Sequence, residues 1–496
     1  MDTQVMVAGA GPVGLMLAGE LRLGGADVVV LERLERPGTE SRASTLHART
    51  MEILDSRGLL DAFGDLPTQP RGHFGGIPLD LTLPGRYPGQ WKVPQTRTER
   101  LLQDWATGLG ADVRRGWELL DLLDDGAGVV VTAGTPAGLT RLRAPYLVGC
   151  DGEDSTVRAL TGAPFPGEPA SRELLRADVA GVDIPNRRFE RLEHGLAIAA
   201  RNRDGVTRVM VHEFGRPAPT RTAEPDFTEL VDSWKRVTGE DLSTGRPLWV
   251  NAFGDANRQL TAYRHGRVLL AGDAAHQQMP IGGQALNLGL QDAVNLGWKL
   301  AAVATGRVGP ELLDTYSAER QPVGRRVLAA IRAQALMLLE GREIEPIRGL
   351  VAELLTAETN RAWIAGMISG LDVRYDVGPG PGPDHPLVGA RLPETGVRAG
   401  RARTTTTALL RTGRGVLLAA AGAARLAAPW AGRVVAATLP RDAGLTPDPA
   451  DVVLVRPDGH VAWIGADPDG ARAALRRWFG PARTARRTAT DFQGGK

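Results

Sequence analysis

The feature that most constrains this chain is a strand, a glycine turn and a helix at its start. Val5-Met6-Val7-Ala8 is wholly apolar, and Gly9-Ala10-Gly11-Pro12-Val13-Gly14 follows it. Val13, Leu15, Leu17, Ala18 and Leu21 then continue as a helix with an apolar face. A strand apolar at every position is expected in a buried parallel sheet. Gly9 and Gly11 permit a tight turn and close approach to a pyrophosphate, and Gly14 lets the helix lie against the strand. The helix start offers free N–H groups and partial positive charge. Val28-Val29-Val30-Leu31 predicts a second strand, with Glu32 at its end, where a carboxylate can accept from a ribose hydroxyl. A glycine-rich turn after any buried strand would account for the first motif alone. Strand, helix, second strand and acid in this order point instead to a dinucleotide fold.

A second unit lies far away. Leu269-Leu270-Ala271-Gly272-Asp273-Ala274-Ala275-His276 repeats the logic of an apolar strand and a tight turn ending in an acid. The pair implies one cofactor held by two distant parts of the chain, a flavin rather than a passing nicotinamide. An Asp after a strand is usually a turn residue; in this setting Asp273 is a ligand candidate. His276 reads better as a satisfied core or loop histidine than as a catalytic group. Cys150 reads as a small core residue rather than a reactive thiol.

With 496 residues the chain can form two or three domains. A net charge of +2 gives no field that would draw nucleic acid. Basic residues are almost all arginine, the lysines being Lys92, Lys235, Lys299 and Lys496. Cys150 is the sole cysteine, which excludes intramolecular disulfides, CxxC redox chemistry and cysteine metal sites; no metal is expected. The longest apolar stretch, 416–437, is broken by Arg425, Pro429 and Arg433 and is no membrane span. Asp2, the lack of a basic start and Glu20 argue against a signal peptide. The expectation is a soluble cytoplasmic protein, monomer or homodimer, with a small-molecule substrate and neither nucleic acid nor membrane as partner.

The pattern predicts an α/β protein. Residues 1–165 and 266–375 form a discontinuous cofactor domain, with helices over 48–58, 97–109 and 284–305 and strands near 112–123, 128–133 and 146–149. Residues 166–265 change texture: alternation at 196–200 and 207–213 predicts an inserted antiparallel sheet. A Gly/Pro linker occupies 376–384, a small α/β domain follows over 385–482, and 483–496 is expected to be disordered. Within the last domain, 452–463 predicts a hairpin turning at Pro457-Asp458-Gly459.

A third motif, Cys150-Asp151-Gly152-Glu153-Asp154-Ser155-Thr156-Val157-Arg158, lies between the two units. After the second come Pro280 and Gly282-Gly283-Gln284-Ala285-Leu286-Asn287. In order and spacing along the first 370 residues, these motifs resemble the class A, para-hydroxybenzoate hydroxylase-type flavoprotein aromatic hydroxylases. Ser41-Arg42-Ala43, Ala48-Arg49-Thr50-Met51-Glu52, Pro94-Gln95-Thr96 and Arg456-Pro457-Asp458-Gly459-His460 are similar to the aromatic polyketide hydroxylases that tailor angucyclines and anthracyclines. Rifamycin monooxygenases share much of this pattern. The resemblance implies a Rossmann-like FAD-binding domain of the glutathione reductase type, an inserted antiparallel substrate domain and a C-terminal thioredoxin-like domain. With no cysteine after Cys150, that last domain is expected to be structural.

The resemblance also implies ligand roles. Glu32 would bind the adenosine ribose, with Arg33 beside the adenine and the backbone of Leu119 at the adenine site. Gly9, Gly11, Val13 and Gly14 would hold the pyrophosphate, Arg42 would pair with a phosphate, and Gln95 would reach the ribitol or phosphate region. Asp151 and Thr156 would serve cofactor and NADPH contacts, and Asp273 the ribitol. Gly283 and the backbone of Leu286 and Asn287, at a helix start, would face the flavin edge and stabilise its anionic reduced form. The chain departs from the common pattern at Gln277-Gln278-Met279-Pro280-Ile281, which are therefore substrate-pocket candidates, and at Ala285, where glycine is frequent.

The implied activity uses FAD, NADPH and O2 to hydroxylate a polycyclic phenol or quinone through a flavin C4a-hydroperoxide, and no side chain is assigned as acid or base. Baeyer–Villiger insertion is the alternative on the same scaffold. A flavin halogenase would carry a pocket lysine and a Trp-x-Trp-x-Ile-Pro motif, and neither is expected here. A non-catalytic flavin-binding protein is the alternative of a different kind.

Overall fold

The computed structural model describes residues 1–38, 43–202, 204–378, 385–420, 422–440, 445 and 451–483. Arg42, most of the predicted linker and all but the first residue of the predicted tail lie outside the described residues. The central sheet runs in the order Arg264–His265, Val268–Leu270, Tyr146–Gly149, Val5–Ala8, Val28–Glu32 and Asp112–Arg115. From Val268–Leu270 to Asp112–Arg115 every pairing is parallel. The strand order reverses beside Val5–Ala8: the chain first builds outward to one side, then returns for Tyr146–Gly149 and Val268–Leu270 on the other. Such a switch point opens a crevice at the carboxyl ends of the strands. Ala8 is level with both Leu31 and Gly149, and Gly149 with Leu270, so the turns after these strands emerge side by side.

Helix Pro12–Leu23 covers the sheet and is itself covered by helix Gln284–Ala304, which is buried around almost its whole circumference. Small residues permit the approach. A Cβ on Gly289 would lie 2.7 Å from Cγ2 of Val13, and one on Gly14 would overlap the carbonyl oxygen of Gly9.

The inserted region is a five-stranded antiparallel sheet, ordered Arg187–Arg191, Gly195–Arg201, Val206–Glu213, Glu173–Ala180 and Arg246–Gly254. Helix Phe227–Thr238 seals one face with Leu230, Trp234 and Val237, and its first turn is capped by the Asp226 carboxylate, which accepts from the Glu229 N–H. Leu174 and Leu196 pack with Ile331 and Leu338 of helix Asp314–Leu339. The described residues of 396–465 form a mixed six-stranded sheet, in which Gly415–Ala419 pairs in parallel with Val434–Thr438 and the other pairings are antiparallel, flanked by helix Pro468–Phe479.

Three predicted boundaries shift. The helix expected over 48–58 ends at Asp55, because the chain turns through a left-handed Gly58. The single strand expected over 112–123 is two, Asp112–Arg115 and Glu118–Asp124, broken at a left-handed Gly116. The helix expected from 97 starts at Gln95, directly after Pro94. Among the described residues no helix is long and apolar enough to cross a membrane.

The C-terminal sheet shares one continuous core with the central parallel sheet and its helices, where Trp298 meets Trp478 and Phe479 at ring separations of 6.2 Å. The hairpin turn Pro457-Asp458-Gly459 forms as expected, between Val452–Val455 and Val461–Gly465. It is clasped by charge. Arg456 donates to both oxygens of Glu319, at 2.6 and 2.8 Å, and Lys299 and Asn295 donate to the same carboxylate. Arg57 donates to the Pro457 carbonyl at 3.0 Å and Arg49 to that of Asp458 at 2.7 Å. The side chains of Arg456, Lys299 and Glu319 are at most 1% exposed. Burial raises the Glu319 carboxyl, but Arg456 and Lys299 outweigh it and hold the group down to about 2.

Glu319→Gln strips a buried arginine and lysine of their shared counter-charge and should lower unfolding stability by about 3–5 kcal/mol in denaturant titrations. The contribution of Glu319 is complete above the ordinary carboxylate value of 4.5 and is lost as pH falls toward 2. Acid titration of the wild type should therefore show a loss of stability in that window, smaller in the glutamine variant.

Candidate functional site

At the switch point lies a cleft of about 470 Å³. Gly9, Gly11 and Val13 form one wall, and Glu32, Arg33 and Leu119 close the end nearest the second strand. Asp151 and Thr156 of the middle motif and Asp273 of the second line the same cleft. Gln95 lies along the same cleft. Eleven of the predicted ligand residues thus meet in one cavity, the eleventh being Leu286 at the start of helix Gln284–Ala304.

Local bonding explains their positions. One Glu32 oxygen accepts from the Ala10 N–H at 2.7 Å and the other from the Leu34 N–H at 2.9 Å, fixing the acid beside the glycine turn. Asp151 accepts from Ser155 Oγ at 2.5 Å and from the Val157 N–H at 3.0 Å; its carboxylate therefore shapes the turn that presents Thr156. Arg158, stacked 4.1 Å from the Phe165 ring, donates to the Ala274 carbonyl and so ties the middle motif to the second. Gln95 accepts from the Ala43 N–H and donates to Glu99.

The second motif is held from beneath. Asp292 accepts from the Gly272 N–H at 3.2 Å, His276 Nε2 at 2.8 Å and Arg320 Nε at 2.6 Å, and Arg320 donates to the Tyr375 hydroxyl. Burial raises the Asp292 carboxyl, but Arg320 and His276 hold it below its ordinary value. His276 is fully buried in this network, as its reading as a core histidine expects. Burial pushes the Cys150 thiol well up, which fits a packing role.

Gly14, Gly283 and Asn287 do not line the cleft. Gly14 is the packing contact between helix and turn. Gly283 is the left-handed N-cap of helix Gln284–Ala304. The Asn287 side chain is spent on structure: it accepts from the His47 N–H and Thr50 Oγ1 and donates to the Thr45 and Gly283 carbonyls. By helix geometry the Ala285 and Leu286 N–H groups lack an acceptor one turn back, whereas Asn287 is the first residue to have one. The free donor edge at the cleft is therefore Ala285 and Leu286.

The pocket candidates divide. Gln278 and Pro280 line the cleft. Gln277 pairs with Arg258 in a short bridge. Met279 and Ile281, 3% and 4% exposed, join the apolar core with Leu174 and Leu338 rather than a cavity wall, because alternate side chains of this loop turn inward. Pro280 also borders a second cavity of about 560 Å³. That cavity is lined by Thr45, Arg71, His73, Lys92, Arg188 and Phe189, none singled out by sequence. A pocket lysine is thus present, and the case against a halogenase rests on the missing tryptophan motif alone.

The cleft suits FAD. A Cβ at Gly11 would meet nothing within 4 Å, so the turn is open to the cleft there; Glu32 is fixed beside the same turn, and both polar side-chain atoms of Gln278 are buried at the cleft without a partner.

Comparison with known proteins agrees. Residues 2–330 match the model of an FAD-binding domain family, and residues 385–482 match an aromatic-ring hydroxylase C-terminal family. The chain is 43% identical to the 12-dehydrotetracycline 5-monooxygenase/anhydrotetracycline 6-monooxygenase of Streptomyces rimosus, over 97% of this chain and 99% of that one. It is 41% identical to a rifampicin monooxygenase of Streptomyces venezuelae, over 96% and 99%. The crystal structure of CabE, an aromatic hydroxylase from angucycline biosynthesis, superposes with a TM-score of 0.92 at 49% identity, covering 97% of this chain and all of that one. The chain belongs to the FAD-binding aromatic-ring hydroxylase family, and the tetracycline and rifampicin relatives above are named monooxygenases.

Proposed function

We propose that this protein is an NADPH- and O2-dependent monooxygenase that hydroxylates a polycyclic aromatic polyketide, of the kind the tetracycline and angucycline relatives are named for. One observation carries the reading: the cofactor cleft and the second cavity share Pro280, so a group seated in the first borders a substrate seated in the second. Bound FAD supplies the redox and oxygen-activating chemistry. The chain's own residues bind, orient and shield. Glu32 and the glycine turn hold the adenosine and pyrophosphate end, and Asp273 the ribitol. The Ala285 and Leu286 N–H groups offer positive charge to the flavin ring at the helix start. The antiparallel sheet supplies Arg188 and Phe189 to the substrate cavity and Arg176, Asn251 and Phe253 to the cofactor cleft, which supports its reading as a substrate layer that excludes water. In the same reading the mixed sheet after residue 385 is the thioredoxin-like domain, acting as a clamp.

A rifampicin-type or Baeyer–Villiger outcome uses the same cleft and differs in which substrate atom the second cavity presents.

The purified protein should be yellow and should oxidise NADPH faster when aromatic polyketides are added under air, with product masses raised by one oxygen. No stimulation across a broad panel would contradict the proposal. Asp273→Ala should release FAD on gel filtration where the wild type retains it. Gly14→Val, which drives a branched side chain into the glycine turn, should yield protein without FAD.

A further inference from the structure

A third cavity, of about 340 Å³, lies on the other side of the long helix from the cofactor cleft. Helix Gln284–Ala304 turns Ala285 and Leu286 toward the cleft, and Gln284, Leu288 and Gln291 of its opposite face line this cavity. Helix Asp314–Leu339 supplies Val323 and Val327, and helix Glu358–Ser369 and the segment after it supply Met367, Ile368 and Val373. Among the described residues the cavity shares no lining residue with the cofactor cleft and only Ile368 with the second cavity. Its volume lies in the range of small-molecule sites.

Buried groups at this wall have unused hydrogen-bonding capacity. Gln291 is 9% exposed, and its side-chain amide has no hydrogen-bond partner among the described residues. Its Nε2 packs on Gly370, where a Cβ would stand 2.6 Å away. Tyr375 is 5% exposed; its hydroxyl oxygen accepts from Arg320 at 3.1 Å, and no described residue accepts its proton. Gln284, 3% exposed, is without a partner at either amide atom. Buried polar groups are ordinarily satisfied, so unspent ones at a cavity wall call for a ligand. Charge, by contrast, is matched. The Glu319 carboxylate at the cavity accepts from Arg456 and Lys299, and Arg326 at the rim donates to Asp372 at 2.5 Å. The exposed Arg374 and Asp376 at the mouth are of opposite sign. An ion entering here loses its water without gaining a counter-charge.

We propose that this cavity is a binding site for a neutral, flat ring compound whose edge carries a carbonyl beside an N–H or O–H donor. The Gln291 amide pairs with such an edge through two hydrogen bonds: Nε2 donates to the carbonyl, and Oε1 accepts from the neighbouring donor. The Tyr375 hydroxyl offers a further proton to a carbonyl oxygen, and the apolar side chains pack on the ring faces. A lactam and a hydroxyquinone both present this edge. The site stands apart from the monooxygenase reading, because neither Gln291 nor Tyr375 lines the cofactor cleft or the second cavity.

The test is calorimetric titration of the FAD-loaded full chain with three probes: 2-quinolone, N-methyl-2-quinolone and 2-naphthoate. 2-Quinolone should bind, and N-methyl-2-quinolone, whose donor is blocked, should bind at least about tenfold more weakly. 2-Naphthoate, a flat anion, should bind more weakly than 2-quinolone. Gln291→Leu should weaken 2-quinolone binding about 10- to 100-fold and erase the difference between the two quinolones. Val323→Trp fills this cavity from helix Asp314–Leu339 at a position that lines neither of the other two, and should abolish 2-quinolone binding with FAD content unchanged. Should the tryptophan variant fail to fold, the Gln291→Leu comparison decides alone, since it reads the ratio of two ligands on one protein. Equal binding of the two quinolones to the wild type, tighter binding of 2-naphthoate, 2-quinolone binding unchanged by Gln291→Leu, or no binding of any probe would overturn the proposal.

Discussion

The structure depends on the contact between Val13 of the glycine turn, the left-handed Gly272 of the second motif and Gly289 of the long helix. A Cβ on Gly272 would stand 3.0 Å from Cγ2 of Val13, and one on Gly289 would stand 2.7 Å from the same atom and 3.1 Å from Cα of Gly272. A side chain at Gly289 would force Val13 to move, and at Gly272 the left-handed backbone, φ +63°, disfavours any side chain. Because the three segments close on one another, the turns after four parallel strands face a common cleft. The cleft belongs to both parts of the chain, so cofactor retention and the packing of the long helix are expected to rise and fall together.

The same helix carries the two buried charge systems. Its Asp292 holds the second motif through Gly272, His276 and Arg320, and its Lys299 and Asn295 meet the Glu319 carboxylate that receives Arg456 from the C-terminal sheet. Buried ion pairs add little net stability over apolar packing, yet breaking one is costly. Their effect here is positional: they fix the second motif and the last domain relative to one helix. The C-terminal domain meets the rest of the chain away from the cleft, through Arg49 and Arg57, whose donors end on its hairpin turn.

What the sequence revealed was local. A strand, a turn and a helix within fifteen residues leave a pattern of apolar runs and glycines, so Gly9–Gly14 and Glu32 were readable from their own neighbours, whereas Asp273 needed the company of the first motif and Asp151 the family resemblance. The Arg456-Pro457-Asp458-Gly459-His460 turn was legible as a hairpin but not as a clasp, because Glu319 lies 137 residues away. Asp292, a lone acid on a mostly apolar helix, and Arg320, one arginine among several on helix Asp314–Leu339, gave no signal. Lys92, Arg188 and Phe189 come from strands of two different sheets, and only the fold brings them to one cavity. Met279 and Ile281 were assigned to the pocket by their place in the chain, whereas their side-chain direction puts them in the core.

The central claim is that one flavin spans the cleft from Glu32 to the start of the long helix, with its ring beside Pro280 and the second cavity. A crystal structure of the FAD complex tests it directly. The account predicts ribose density within hydrogen-bond reach of Glu32, and the isoalloxazine edge facing the Ala285 and Leu286 N–H groups. A flavin ring placed away from Pro280, or an adenine end remote from Glu32, would contradict it.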